Sequence, residues 1–190
     1  DVMLFLTKLT KKIFKRRSVV WQYNGTTRPD FAEVPSKDQE SVWDYPRPPS
    51  LRRLDLKIEV KYDGAVLANS RGALCVSETA SPPVFYISFA NVVFDLLCKA
   101  PGSSFCEWKG KASYWGIKSN LNRSDSVAWS YEEPLQSYEK LKDHMAFYPG
   151  KVDCYLDDEK VAPQPGGFYG GWMTTKICGP VKGSPGTEWW

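Results

Sequence analysis

Residues 54–70 read LDLKIEVKYDGAVLANS, and this stretch predicts the fold. Apolar side chains alternate with polar ones in its first half, at Leu54, Leu56, Ile58, Val60 and Tyr62. A period of two is typical of a β-strand with one buried face. The dipeptide Asp63-Gly64 follows, which two-residue hairpin turns prefer, and 65–70 then reads as a return strand. The stretch therefore predicts an antiparallel hairpin.

Further strands are expected downstream of this hairpin. We predict a turn at 70–72, a strand at 73–78, an interruption at Pro82-Pro83 and another strand at 84–89. The run 91–98, NVVFDLLC, fits a strand or a helical turn, because a short apolar run does not fix the period. The whole pattern indicates a meander of antiparallel strands.

The second half of the chain continues in the same way. Residues 106–118 read as a strand, or as a pair of strands broken near Lys109-Gly110, and 126–131 as the next strand. One helical turn is expected within 135–147, and a hairpin is expected to turn near Asp157-Asp158. We therefore predict a mainly β domain over 54–161.

Composition agrees with a β-rich chain organised around one core. The 190 residues include 14 Pro and 14 Gly, too many for long helices, together with eight Trp and ten Tyr. We divide the chain into a basic amphipathic segment (1–17), a proline-rich arm (18–53), the β domain (54–161) and a Gly/Pro/aromatic tail (162–190).

The charge distribution argues against nucleic acid as a partner. The formal net charge is +3, but residues 1–17 carry six basic side chains and one acidic side chain. The remainder carries 19 basic and 21 acidic residues. Phosphate-dominated binding requires a basic surface, which this remainder lacks.

The five cysteines predict neither a metal site nor a disulfide framework. They are widely spaced and odd in number, and no CxxC pair occurs. We expect reduced thiols in an intracellular compartment, and we predict no metal and no cofactor. No run of 18 apolar residues occurs either, so no membrane span is expected.

The arm, the tail and segment 2–17 carry apolar side chains that need a surface to cover them. Segment 2–17 reads as an amphipathic helix that could lie on a membrane surface, dock on a partner, or be the remnant of a targeting peptide. A disordered or locally packed tail is the alternative. The arm is expected to lie against its own domain or against another protein. Our candidates for docking residues are Phe5, Leu9, Ile13, Trp21, Tyr23, Phe31, Trp172, Trp189 and Trp190.

Five spaced motifs carry a family resemblance. They are SVWDYPRPP (41–49), SETASPPVFYI (77–87), FCEWKGKASYW (105–115), AWSYEEP (128–134) and HMAFYPGKVD (144–153). In this order they resemble the family known as domain of unknown function 427, over roughly residues 41–160.

The resemblance implies a fold similar to the β-tent of methionine sulfoxide reductase B and of the thalidomide-binding domain of cereblon. In that fold two antiparallel sheets are pinned at one edge and enclose a pocket. This sequence lacks the paired CxxC zinc knuckles of those relatives. The tail from 168 onward resembles longer members from photosynthetic organisms, which implies a plastid, with the cytoplasm as the alternative.

The stretch 105–115 is the candidate ligand pocket, because it sets a lysine among aromatic rings. A buried ammonium needs a carboxylate or a ring face, since burying it bare costs several kcal/mol. We expect Glu78 to pair with Lys109. The remaining candidate pocket residues are Trp108, Tyr114, Trp115, Trp129, Tyr131 and Tyr148. The same set could instead form a filled aromatic core with a satisfied ion pair.

Catalysis finds little support in the residues. His144 could act as a proton shuttle beside Glu78 or Tyr148, and Cys106 could act as a nucleophile, although only nearby lysines would favour its thiolate. We assign no catalytic residue. The family's nucleotidyltransferase-like label would require magnesium-binding carboxylates and a phosphate loop. The only acidic cluster, in 153–159, falls on an expected turn.

Two functional hypotheses follow. The first is a non-catalytic interaction module, an accessory subunit docked on a larger assembly such as a photosynthetic membrane complex. The alternative is a small-molecule sensor or enzyme that uses the pocket around Lys109 and Glu78.

Overall fold

The structure, a computed structural model, describes residues 21–119 and 125–190. Its strands are β1 (Glu40–Ser41), β2 (Ser50–Tyr62), β3 (Ala65–Glu78), β4 (Ser81–Ser88), β5 (Leu97–Cys106), β6 (Gly110–Ile117), β7 (Ala128–Ser130), β8 (His144–Phe147), β9 (Asp153–Leu156), β10 (Glu159–Lys160), β11 (Ala162–Pro163), β12 (Trp172–Met173) and β13 (Ile177–Cys178). Four short 3-10 helices, Val42–Asp44, Phe89–Asn91, Phe94–Leu96 and Gln136–Leu141, connect them. The prediction of a mainly β chain is confirmed.

Nine of these strands form one antiparallel sheet in the order β10-β9-β2-β3-β4-β8-β7-β6-β5. Strand β4 joins its two halves: Tyr86 pairs with Leu74 of β3, whereas the next residue, Ile87, pairs with Met145 of β8. The two other sheets have two strands each, β1 with β13 and β11 with β12.

The two hairpins predicted from acidic turn residues are confirmed. Asp63 and Gly64 have φ of 51° and 81°, the left-handed pair that a tight hairpin turn requires. Asp157 and Asp158 have φ of 46° and 69° between β9 and β10. Aspartate tolerates this region because its short polar side chain bonds locally.

Two predicted strand breaks, at 70–72 and at Pro82-Pro83, are wrong. At each place the strand continues through an irregularity in its pairing. Strand β3 runs through the expected turn at 70–72, and its pairing with β2 shifts between Leu54 and Lys57. Strand β4 likewise includes Pro82 and Pro83, which lie where its pairing with β3 shifts. A proline that cannot donate to the ladder is tolerated at such a bulge.

The ambiguous segments are resolved by their neighbours. The run 91–98 contributes to two 3-10 helices and then enters β5. Strands β5 and β6 form a hairpin with Cys106 opposite Gly110, so the break near Lys109-Gly110 is confirmed. The helical turn expected within 135–147 is the 3-10 helix Gln136–Leu141.

Each face of the nine-stranded sheet carries its own hydrophobic cluster, because alternate side chains project to opposite sides. We call the first the core face; it includes Ile58, Leu67, Phe85, Ile87, Met145, Phe147 and Trp172. We call the second the pocket face; it includes Leu74, Val76, Tyr86, Ala112, Trp129, Tyr131, Tyr138 and Leu141. The core face is mostly aliphatic, whereas aromatic residues make up nearly half of the pocket face.

The arm and the tail pack on each other and on the sheet. β1 pairs in parallel with β13, and the fully buried Trp43 donates its Nε1 proton to Pro180 O at 3.0 Å. Tyr23 and Phe31 lie against the Trp43 ring with centroid distances of 5.2 and 5.1 Å. The arm therefore lies against its own domain, one of the two predicted alternatives.

The docking candidates occupy several different environments. Phe5, Leu9 and Ile13 lie outside the described residues. Trp172 is 0% exposed and donates to Phe147 O at 3.1 Å, so it belongs to the core and its assignment to docking is wrong. Trp189 is 55% exposed, and Trp190 stacks on Phe31 at 5.0 Å. Within 21–119 and 125–190, no helix has the length and apolar character to cross a bilayer.

Candidate functional site

A cavity of about 330 Å³ opens on the pocket face. The sheet, the arm and the tail all contribute to it. The lining residues used below are Trp21, Arg47, Glu78, Tyr86, Cys106, Glu107, Trp108, Lys109, Tyr114, Trp129, Tyr131, Tyr148, Tyr169, Gly170 and Lys182. The aromatic side chains of the pocket face pack on one another and also border this open space.

Seven of the eight predicted pocket residues line this cavity, and Trp115 does not. Trp115 lies on the core face, where it packs against Phe94 at 5.3 Å and donates to Ser130 Oγ at 2.9 Å. Lys109 lies in the turn between β5 and β6 rather than within a strand, so strand alternation does not place it beside Trp115.

Lys109 is a buried cation of the cavity, with 9% of its surface exposed. Within the described residues, no carboxylate lies within 4 Å of its Nζ, and the Cys106 thiol is its hydrogen-bonding neighbour. Burial opposes the charge, but attraction to Tyr86, Cys106 and Glu78 outweighs it and raises the pKa of Lys109. The ammonium therefore stays protonated without a direct ion pair.

The predicted ion pair between Glu78 and Lys109 is wrong, because Glu78 pairs with Arg47 instead. Arg47 Nε donates to Glu78 Oε1 at 3.2 Å, and only 2% of the Arg47 side chain is exposed. Arg47 also donates to the Thr79 carbonyl at 2.9 Å and to the Tyr23 carbonyl at 3.3 Å, and its guanidinium lies 4.3 Å from the Trp21 ring centroid. The sequence analysis missed Arg47, although it lies within the SVWDYPRPP motif.

Aromatic rings form the walls of the cavity. Trp129 lies 4.4 Å from Tyr148 and 6.1 Å from Tyr86, between ring centroids. Trp129 Nε1 donates to the Tyr86 hydroxyl at 3.3 Å. Burial raises the pKa of Tyr131 and of Tyr148 above the ordinary tyrosine value, so both phenols are neutral hydrogen-bonding groups.

The tail completes the cavity with a second lysine and a close backbone contact. Lys182 Nζ donates to the Trp190 carbonyl at 2.9 Å and lies 5.5 Å from the Tyr169 ring. Burial and the nearby Arg47 lower the pKa of Lys182. The backbone of Gly170 lies so close to Trp129 that an added Cβ would overlap the indole.

The residues considered for catalysis are scattered. His144 Nδ1 contacts its own neighbour's carbonyl, Lys142 O, at 2.8 Å, and His144 does not line the cavity. Cys106 does line it. The acidic cluster sits on the β9 to β10 turn, where Asp158 pairs with Lys57 at 2.5 Å. Over the described parts of the chain, no three His, Cys, Asp or Glu side chains are grouped so as to hold a metal ion.

Comparison with known proteins agrees with the motifs. No curated protein matches this chain. The family model described as "Domain of unknown function (DUF427)" matches residues 50–158, more than half of the chain. This range contains the nine-stranded sheet except for β10, whereas Trp21, Arg47 and the tail residues of the cavity lie outside it. The chain therefore belongs to the DUF427 family.

Proposed function

We propose that this protein is a small-molecule binding module, a sensor or carrier, that holds an organic ligand in the pocket-face cavity. One observation carries the proposal: the buried ammonium of Lys109 borders an open cavity and has no carboxylate within 4 Å among the described residues. A cavity lined by aromatic side chains with a few convergent polar groups is the usual form of a ligand site.

Lys109 is the cation of the cavity that an acceptor group on a bound molecule could pair with. Proteins normally match a buried charge with a counter-charge or with hydrogen bonds. Arg47 and Lys182 each have a partner within the chain. An acceptor group on a bound molecule would supply the missing partner of Lys109.

Binding without catalysis fits the cavity better than an enzymatic reaction. Burial raises the pKa of Tyr131 and of Tyr148, which makes both phenols poor proton donors near neutral pH. His144, the only histidine, lies outside the cavity lining. The cavity thus offers aromatic contacts and fixed charge rather than a poised acid and base.

A panel of naphthalene compounds with neutral, anionic and cationic substituents tests this proposal by thermal shift. We expect at least one compound to raise the melting temperature of the wild type. Trp108→Ala should remove that shift because Trp108 lines the cavity. Trp189→Ala is the matched control, since this exposed indole does not line the cavity and its removal should leave the shift unchanged.

The proposal fails if no compound of the panel stabilises the wild type. It also fails if Trp108→Ala and Trp189→Ala reduce the shift equally, because binding would then lie outside the cavity.

We also propose protein docking as a second function, supported by two exposed aromatic residues. Phe31 is 43% exposed and Trp189 is 55% exposed, and both pack around Tyr23 with centroid distances of 5.9 and 6.1 Å. Exposed aromatic side chains are enriched at interfaces between proteins. The occupant we propose is a subunit of a larger protein assembly.

Crosslinking in the native source tests docking. The wild type should crosslink to one assembly, and Trp189→Ala should lose that crosslink while Phe168→Ala, an exposed aromatic elsewhere on the tail, should keep it. A monomer that crosslinks to nothing contradicts this second proposal. A plastid location and membrane-surface contact through residues 2–17 remain proposals drawn from the sequence alone.

The β-tent assignment is also a proposal at this level. The switch of β4 from pairing with β3 to pairing with β8 supports a description as two antiparallel sheets joined along one strand. The ligand cavity would then correspond to the pocket that the resemblance implies.

A further inference from the structure

We propose that the ligand of this cavity is a planar aromatic ring bearing a single carboxylate, with the carboxylate at Lys109 and the ring among Trp108, Trp129 and Tyr148. This inference rests on the proposed binding function and names the chemical class of its ligand.

The balance of charge around the cavity calls for one negative charge. Three cationic side chains line it, Arg47, Lys109 and Lys182, against two carboxylates, Glu78 and Glu107. Arg47 is bonded to Glu78 at 3.2 Å. Lys182 donates a hydrogen bond to the Trp190 carbonyl, and the exposed carboxylate of Glu107 attracts its positive charge. The positive charge left over is that of Lys109.

Tyr86 supplies a second donor for the same anion. Its hydroxyl oxygen accepts the Trp129 Nε1 proton at 3.3 Å, and Tyr131 is a further hydrogen-bonding neighbour of this phenol. Burial raises the pKa of Tyr86, so the phenol keeps its proton and can donate it. A carboxylate has two oxygens, so one can accept from Lys109 and the other from Tyr86.

The walls select a flat ring rather than an aliphatic chain. The Trp129 and Tyr148 centroids lie 4.4 Å apart with planes inclined by 42°, so they form a tilted wedge of two aromatic surfaces. Aromatic pairs in offset or edge-to-face geometry gain about 0.5–1.5 kcal/mol beyond the area that they bury. A planar aromatic ring that packs against Trp129 and Tyr148 gains this additional energy, whereas a puckered ring gains only from burying its apolar surface.

The size and the single surplus charge narrow the class. A cavity of about 330 Å³ lies at the lower end of the roughly 300–1,000 Å³ range of small-molecule sites, which suits one ring or two fused rings. A phosphate ester carries close to two negative charges, which is more than the one surplus positive charge of the cavity. Glu78 and Glu107 would repel the excess negative charge. A carboxylate matches the balance.

Isothermal titration of the wild-type chain with three matched compounds tests the class. These are 2-naphthoate, its neutral amide 2-naphthamide, and the puckered acid decahydro-2-naphthoate. We expect 2-naphthoate to bind at least tenfold more tightly than either of the others, because the amide lacks the charge and the decahydro acid lacks the flat ring. A fourth compound, 2-naphthyl phosphate, should bind more weakly than 2-naphthoate.

Two lysine variants test whether the carboxylate of the ligand lies at Lys109. Lys109→Met should abolish the preference for 2-naphthoate over 2-naphthamide. Lys111→Met, an exposed lysine two residues away that does not line the cavity, should keep that preference.

Each remaining outcome has a distinct meaning. Equal affinity for 2-naphthoate and 2-naphthamide, tighter binding of the phosphate or the decahydro acid, or an unchanged preference in Lys109→Met overturns the carboxylate assignment. Failure of all four compounds while another member of the naphthalene panel binds overturns it as well, yet leaves the binding function standing. If no compound binds at all, the proposed function itself fails.

Discussion

The two faces of one sheet differ in chemistry, although the same strands build both. Neighbouring residues of β6 show the contrast: Trp115 packs into the mostly aliphatic core face, and Tyr114 lines the cavity of the pocket face. The core face is closed by packing around Trp172, which is fully buried. The pocket face keeps a cavity, a buried lysine and several phenol groups.

The comparison shows that the two faces of one sheet can pack in different ways. A close-packed aliphatic layer maximises the buried apolar area and leaves no space for a ligand. An aromatic layer with spaced hydroxyl groups packs less completely and leaves polar atoms directed at the gap. The core face therefore stabilises the fold, and the pocket face is free to carry a function.

Alkaline pH should affect the pocket face first and produce the largest effect. Burial raises the pKa of Tyr138 to about 12, and burial also raises the pKa of Tyr86, Tyr131 and Tyr148 above the ordinary value of 10.0. These neutral phenols stabilise the fold fully below pH 10, and this stabilisation is lost as the pH rises through their folded-state pKa values. We expect complete loss of native circular dichroism between about pH 10 and pH 12.

Phenolate absorbance recorded along the same titration provides the control. The absorbance should rise together with unfolding. Ionisation of most tyrosines near pH 10 in a protein that keeps its native circular dichroism would contradict the burial of the pocket-face phenols.

Trp172→Ala should cause the largest loss among single substitutions. The change leaves a void on the core face and removes the donor to Phe147 O, so we expect the free energy of unfolding to fall by about 3–5 kcal/mol. Urea denaturation measures it. Trp189→Ala is the matched control and should cost less than about 1 kcal/mol, because that indole is exposed. Equal losses would mean that the core face is not the main source of stability.

Gly170→Ala should separate the tail from the pocket face. The added Cβ would overlap Trp129, so the tail must shift, and we expect a loss of about 1–3 kcal/mol together with weaker binding of 2-naphthoate. Gly150→Ala is the control, since its Cβ would meet only Pro163 at 3.4 Å, an ordinary contact. Unchanged stability and unchanged affinity in Gly170→Ala would show that the tail does not help to form the cavity.

Lys109→Met should produce the smallest effect. The neighbours of Lys109 raise its pKa, so the charged form is favoured in the folded state, and its removal should lower the free energy of unfolding by about 1 kcal/mol. Urea denaturation measures the change, and Lys111→Met, which changes an exposed lysine, should show none. An unchanged or increased stability in Lys109→Met would mean that the chain does not stabilise the buried ammonium.

Sequence reasoning succeeded where a few adjacent residues decide the structure. The turns at Asp63-Gly64 and Asp157-Asp158 were predicted correctly, because the backbone geometry of a tight turn is set by the residues within it. The turn expected at 70–72 and the break expected at Pro82-Pro83 were wrong. Whether such residues end a strand or form a bulge depends on the partner strand, which the local sequence does not specify.

The predictions for the candidate site were likewise partly right and partly wrong. Eight pocket residues were predicted around Lys109, and seven of them line the cavity. The ion pair was assigned wrongly, since Arg47 reaches Glu78 across 31 positions of sequence. Trp115, predicted as a pocket residue, lies on the core face instead, because Lys109 sits in the β5 to β6 turn and strand alternation does not relate the two residues.

The sequence alone determined that this chain is a mainly β member of the DUF427 family with aromatic residues gathered around Lys109, because alternation, turn dipeptides and motif order are local properties of the chain. Only the tertiary structure decided which carboxylate meets which cation, that the tail closes over Trp129, and that a cavity stays open beside Lys109. Those features depend on distances between segments far apart in sequence, and such distances are fixed only when all the segments pack together.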